Sequence, residues 1–189
     1  MAMDKRKEIL VKALVDTDDA IRGLAAEALE RLETRERLDD IERHITGGDK
    51  LKKLMAIYAL DRLRGQRVIT LLLKAIGDPV EDVRSAAIRV LGRIGDPRVI
   101  GPLLKCLDDK SPVVRRVVIE VLGDFRDSRL TDPLLLMLKD EDKGVIEKTI
   151  EALGKVGDQK ALDALMTFAV KGDPTTKALA IKALGELEL

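Results

Sequence analysis

Tryptophan and asparagine are absent from this 189-residue chain, and it holds one cysteine, one histidine, one tyrosine and two phenylalanines. Each scarcity excludes something. A lone Cys106 cannot build an intrachain disulfide framework and fits a reducing compartment, so a cytoplasmic location is expected. His44 has no histidine or carboxylate cluster beside it at metal-ligand spacing, so no metal and no other cofactor is expected. Aromatics at 2% argue against sheets and for helices packed through Leu, Ile, Val and Ala. No apolar stretch approaches the ~18 uncharged residues of a membrane span, and Met1 to Leu14 reads as a charged amphipathic helix rather than a signal peptide. Lys plus Arg and Asp plus Glu both total 34, leaving no net field to draw the chain to nucleic acid or to an anionic membrane. The shortage of Asn and Gln beside abundant Lys, Arg and Glu resembles thermophile compositions.

What is present is a period. Leu29, Leu60, Leu91, Leu122, Leu153 and Leu184 recur every 31 residues with no insertion or deletion. Self-similarity at this spacing marks a solenoid, in which each unit buries its apolar face only by stacking on its neighbours. The reading is a single domain, 1–189, of six two-helix repeats at approximately 4–34, 35–65, 66–96, 97–127, 128–158 and 159–189.

Each unit carries its own punctuation. Asp96 is placed to cap a first helix with Pro97 at its first position, where a missing N–H costs nothing, and Ile100, Leu103, Leu104 and Leu107 give that helix one apolar face. Ser111 and Pro112 repeat the device for a second helix, which Gly123 and the polar residues after it bring to an end. Asp173 and Pro174 do the same in the last repeat. Second helices carry a 3.6-residue stripe, Val83, Ala87, Val90, Leu91 and Ile94 in one repeat and Val114, Val118, Val121, Leu122 and Phe125 in the next. The small residues Ala25, Ala56, Ala87 and Ala180 recur on it. First helices contribute the column Leu10, Ile41, Leu72, Leu103, Leu134 and Leu165. Repeat two departs from the pattern, with a polar first helix from Arg37 to Ile45 and Gly47-Gly48 in place of an acidic turn.

Asp78 with Val83-Arg84, and Asp109 with Val114-Arg115, match the spacing of HEAT repeats, and Gly95-Asp96-Pro97-Arg98 resembles the short variety named after phycobilisome lyases. The resemblance spans essentially the whole chain. It implies an all-α, right-handed superhelix with first helices on the convex side and second helices lining a concave groove where ligands sit. It does not imply one function, because scaffolds, lyases, hydroxylases and DNA-repair enzymes share such repeats.

The basic column Arg22, Lys53, Arg84, Arg115 and Lys177 could track a phosphate backbone, but it breaks at Ile146, and Asp78 and Asp109 stand six residues before Arg84 and Arg115. The stronger reading is a structural ladder of Asp78, Arg84, Asp109 and Arg115 within and between repeats. On a helical wheel, positions equivalent to 85, 89, 92 and 93 lie opposite the core. There Leu54 and Tyr58 form an apolar pair near Arg89, Arg93 and Arg116, a combination that resembles an interface anchor. Gly92, Gly123, Gly154 and Gly185 recur in the second helices, where glycine costs up to ~1 kcal/mol against alanine, so close packing or helix termination must offset it.

No Gly-rich phosphate loop, Ser-His-Asp set or cysteine pair is present. The HEAT-type iron hydroxylases use paired His-Glu motifs, whereas His44 is followed by Ile45. Glycosylases of alkylated DNA use Trp and Tyr in a basic cleft, and this chain has neither the Trp nor the charge. Cys106, between Leu103 and Leu107, reads as a small buried or half-buried residue rather than a nucleophile. The expectation is a non-enzymatic scaffold that binds a protein or peptide in its groove. The alternative is a bilin-lyase-like or other small-molecule accessory enzyme, and a nucleic-acid binder comes third. A homodimer through the C-terminal repeat is expected if Leu187 and Leu189 are exposed.

Overall fold

The computed structural model describes residues 5–187, so Leu189 lies outside the described residues. Eleven α-helices and no strand occur among them: α1 (Lys5–Ala13), α2 (Asp19–Gly47), α3 (Lys50–Leu60), α4 (Gln66–Ala75), α5 (Glu81–Ile94), α6 (Ile100–Lys105), α7 (Pro112–Asp124), α8 (Thr131–Met137), α9 (Lys143–Val156), α10 (Leu162–Lys171) and α11 (Pro174–Glu186). From α4 onward they alternate as first and second helices of four successive pairs. Each second helix lies against the next, α5 on α7, α7 on α9 and α9 on α11, so the molecule is an α-solenoid.

Local chemistry sets the boundaries. The side chains of Asp96, Asp127 and Asp158 accept from the N–H groups of Arg98, Arg129 and Lys160, each opening a first helix through one tight 3₁₀ turn. Helices α5 and α9 end on Gly95 (φ 68°) and Gly157 (φ 76°) in the left-handed conformation glycine adopts without penalty. At the corresponding place after α7 stands Arg126 (φ 51°), a non-glycine residue in the same strained region. Ser111 does not cap α7 with its hydroxyl, as its position suggests. The hydroxyl donates instead to Glu81 Oε2 at 2.6 Å, 30 residues back in sequence, and a neighbouring repeat has claimed the capping group. Asp109 Oδ1 takes over the turn by accepting from Ser111 N–H at 2.8 Å.

The leucine column is the core. Leu60, Leu91, Leu122 and Leu153 are fully buried, as are Leu72, Leu103, Leu134 and Leu165 from the first helices. Gly92, Gly123 and Gly154, expected to mark close packing or helix ends, face the following repeat. A Cβ on them would lie 2.7 Å from Val121 Cγ1, 2.9 Å from Ala152 Cβ and 2.8 Å from Ala183 Cβ. Close helix packing therefore explains these three, and helix termination belongs to Gly95 and Gly157.

Repeats one and two depart furthest from expectation. The second helix of repeat one and the first helix of repeat two are a single helix, α2, of 29 residues and therefore roughly 43 Å long. Where the later repeats place Arg-Gly, Gly-Asp or Arg-Asp, α2 has Glu33-Thr34-Arg35-Glu36, which contains neither a positive-φ glycine nor an aspartate cap. Nothing stops the helix, so it runs on. The consequence shows at α3. Ala86 and Val117, and likewise Val90, Val121, Ala152 and Ala183, are buried against the preceding repeat, yet their counterparts Met55 and Ala59 are exposed. Repeat one thus does not stack on repeat two as the others stack. Ala25 is its buried residue among those described, while Leu10 and Leu29 are half-buried.

Candidate binding face and the inter-repeat ladder

Two sets of charges cross the three junctions from repeat two to repeat five. The inner set is the ladder. Lys53 Nζ meets Asp78 Oδ2 at 2.6 Å, Arg84 grips both oxygens of Asp109 at 2.7 and 2.8 Å, and Arg115 grips both oxygens of Asp140 at 2.7 and 2.8 Å. Within a repeat the arginine does not meet the carboxylate six residues before it. Arg84 Nη1 donates to the backbone carbonyl of Asp78 at 2.9 Å, and Arg115 Nη1 to that of Asp109 at 2.8 Å. The acids meanwhile fold their own turns, with Asp78, Asp109 and Asp140 accepting from the N–H two residues on. Lys53 and Asp140 are rungs that the Asp-to-Arg spacing of six did not reveal. The 25-residue offset shared by all three pairs is the signal that finds them.

Burial raises the energetic weight of these pairs. Arginine and aspartate side chains in the Arg84–Asp109 pair are 6% and 12% exposed, and both are charge-assisted, two-pronged contacts. Burial pushes the Asp109 carboxyl up, but the hydrogen bonds from Arg84 and from Ser111 N–H outweigh it and leave the group below its ordinary value. For Asp140 the Arg115 guanidinium is the main cause of a lowered value, opposed by burial. Arg98 and its N–H hold exposed Asp96 at about 2, and Thr176 with Lys143 does the same for Asp173.

A carboxyl lowered in the folded state contributes stability that is complete above its unfolded value of about 4 and is lost as pH falls through the folded value. The thermal midpoint should therefore be level from pH 7 to about pH 5 and fall steadily below about pH 4. Asp140→Asn should reduce that fall, as circular-dichroism melts across the series would show. An identical acid slope in the variant would contradict the assignment.

The outer set lies on the solvent side of the second helices. Arg89 pairs with Glu120 at 3.1 Å, Arg93 with both oxygens of Asp61 at 3.0 and 3.1 Å, and Lys155 with Asp124 at 2.6 Å. Arg89, Gly92, Arg93, Glu120, Val121 and Asp124 line a shallow trough of about 270 Å³ between α5 and α7. Of the residues expected on this face, Arg89 and Arg93 come together there. Arg116 turns towards the start of α9, 3.9 Å from Asp142 and donating to Pro112 O at 3.3 Å. Tyr58 is 54% exposed on α3, whereas Leu54 is half-buried against the core. Arg89, Arg93 and Arg116 are thus neutralised by neighbours, and Tyr58 is the exposed aromatic of this face.

The remaining candidates sit apart. Cys106 is half-buried, its thiol 3.6 Å from Pro102 O and pushed up by burial. His44 Nδ1 lies 3.7 Å from Asp40. No group of three or more metal-ligating side chains gathers among the described residues, and no described helix is long and apolar enough to cross a membrane.

Stacked helix pairs locked by an inter-repeat ladder define a short-repeat α-solenoid. A model of HEAT repeats matches residues 43–115 and 100–185, and the chain belongs to the HEAT-repeat family. Among solved structures it is similar to the complex of CpcE and CpcF of phycocyanin lyase from Nostoc sp. PCC7120, at 20% identity and a TM-score of 0.68. That match covers 79% of this chain and 64% of the other, so this chain spans less than two thirds of the length of the lyase chain it matches. The YibA protein of Escherichia coli matches at 23% identity and a TM-score of 0.62, over 98% of this chain and 71% of that one. A designed armadillo repeat protein in complex with the peptide (KR)4 matches at 18% identity and a TM-score of 0.58, over 98% and 100%. Comparison with curated proteins finds no match.

Proposed function

We propose that the chain is a non-enzymatic scaffold that binds a protein or peptide segment along the face of its second helices. The observation that carries the reading is that face itself. Exposed Tyr58 stands where the paired arginines begin, and Arg62 beside it is exposed with no ion-pair partner among the described residues. An amphipathic aromatic next to a free guanidinium group is the composition of an interface hot spot. The fold supports the same reading, since a designed repeat protein of matching length holds a peptide. Three cations of the basic column, Lys53, Arg84 and Arg115, are committed to carboxylates, which leaves no continuous phosphate track.

Selection from a displayed peptide library should enrich binders that the Tyr58→Ala, Arg62→Glu double variant holds at least tenfold more weakly. Equal affinity of both proteins for every enriched peptide would remove this face as the site. A second reading, participation in bilin attachment, is favoured by the likeness to the phycocyanin lyase complex. Titration with free bilins should then shift their visible absorbance, and an unchanged spectrum would reject it.

A further inference from the structure

The charge and packing rules of the internal junctions extend beyond the last repeat, and the residues that would satisfy them stand on the first. At internal junctions a second-helix glycine receives a small aliphatic residue, Ala152 over Gly123 and Ala183 over Gly154. At three of them a ladder cation reaches the turn acid 25 residues on, while at the last Ile146 and Lys171 replace both members. Outer charges pair at 31 residues, Arg89 with Glu120 and Asp124 with Lys155. On α11 each rule is left open. Gly185 has nothing within 4 Å of a Cβ position. Lys177 stands at the ladder position without an ion pair among the described residues, and the ion pair of Lys182 and Glu186 is a long one within α11, at 3.9 Å. Around them Leu162, Met166, Val170 and Ile181 are exposed. Leu187, on whose exposure the expected C-terminal homodimer is conditional, is half-buried against the core.

The first repeat shows the other half of the same junction. Ala28 occupies the position of Ala152 and Ala183, Glu27 that of Glu120, and Arg31 that of Lys155. Asp16 occupies the position of the ladder acids, in the same turn: its Oδ1 accepts from Asp18 N–H at 2.9 Å and its carbonyl accepts from Arg22 at 2.7 Å. No cation among the described residues pairs with its carboxylate. Leu10, Ala13, Ile21, Leu24 and Ala28 line an open apolar groove of about 420 Å³, and the counterparts of Ile21 and Leu24 in α7, Val114 and Val117, are buried. Repeat two does not offer this face, because Asp40 and His44 stand where repeat one has Ile9 and Ala13.

We propose that the outer face of α10 and α11 receives α1 and the first half of α2 from a second copy of this chain, head to tail, in the register of the internal junctions. Lys177 then pairs with Asp16, Lys182 with Glu27 and Glu186 with Arg31, while Ala28 seats on Gly185. Three opposite-charge pairs and one glycine-to-alanine contact arise from a single register, which is what selects a second copy as the occupant. The interface is heterologous, so association continues beyond two copies into a ring or an open filament.

The test uses Gly185→Leu and Leu24→Glu, both at open positions, so each variant should keep the wild-type helical circular dichroism. In sedimentation over a concentration series, the wild type should pass beyond two copies, and each variant alone should associate at least tenfold more weakly. An equimolar mixture should form a 1:1 complex that stops at two copies, since each variant retains the face the other lacks. Wild type that stays a single copy throughout, Leu24→Glu that dimerises by itself, or a mixture that fails to pair would each overturn the proposal. Tyr58→Ala should leave assembly unchanged, which separates this outcome from that of the peptide-binding face.

Discussion

Asp109→Ala should cost about 3–5 kcal/mol, the range for removing one partner of a buried ion pair. Its carboxylate takes two hydrogen bonds from Arg84 and one from Ser111 N–H. Arg84 cannot escape to water when the acid is lost, because Nη1 remains held by the carbonyls of Asp78 and Pro79 at 2.9 and 3.1 Å. The variant therefore keeps a buried, unpaired guanidinium and frees a turn N–H. Urea unfolding would read the loss. Hydrogen exchange would locate it at the α5–α7 junction, since a solenoid's stability is close to a sum of repeat and nearest-neighbour contributions. The double replacement Arg84→Met, Asp109→Leu should recover most of the loss, because what costs is the orphaned charge rather than the missing attraction. By contrast, the pair of Arg98 with Asp96, whose guanidinium stays in solvent, should contribute little. A loss below 1 kcal/mol in Asp109→Ala would show that Arg84 finds solvent after all.

The contrast between these two pairs also separates what was legible in the sequence from what was not. The leucine column and the 31-residue period lead directly to the stack, because burial of one apolar stripe per helix is a property of each repeat's own residues. The ladder was half legible. Asp78 and Arg84 are near in sequence, yet Arg84 reaches only the backbone carbonyl of Asp78, and its carboxylate partner, Asp109, comes from the next repeat. Spacing within one repeat cannot display a contact between repeats. Close packing of Gly92, Gly123 and Gly154 was legible as one of two explanations for glycine in a helix, but which neighbours they meet was not, because those belong to the next repeat.

The fusion of repeats one and two was legible as an anomaly but not as an outcome. Glu33-Thr34-Arg35-Glu36 lacks every stop signal used elsewhere, so helix continuation follows from local propensity. What propensity does not give is the fate of the faces that regular stacking would have joined. Glu30 offers a second reason. It occupies the position of Gly123, where even a Cβ approaches Ala152 to 2.9 Å, so a glutamate there opposes regular docking of repeat one on α3. Helix continuation and a blocked junction thus act in the same direction, and they leave the candidate face at Tyr58 open to a partner.

The glycine column supplies the second large effect. Gly123→Leu should destabilise the protein by about 1–3 kcal/mol or more, the range for overpacking a close-packed contact. The added Cβ would sit 2.9 Å from Ala152 Cβ and 3.0 Å from its backbone Cα, so relief requires α7 and α9 to move apart rather than a side chain to rotate. Separation would also stretch the Arg115–Asp140 and Lys155–Asp124 pairs that cross the same junction. Gly123→Ala should be much milder, because alanine regains up to ~1 kcal/mol of helix propensity against a smaller clash. Ala152→Gly added to Gly123→Leu should restore part of the loss, a coupling that chemical denaturation of the double-mutant cycle would measure. Gly101→Ala, in a helix where nothing lies within 4 Å of the added carbon, should stabilise instead. If Gly123→Leu and Gly101→Ala moved stability alike, close approach of the second helices would not be what keeps glycine at position 123.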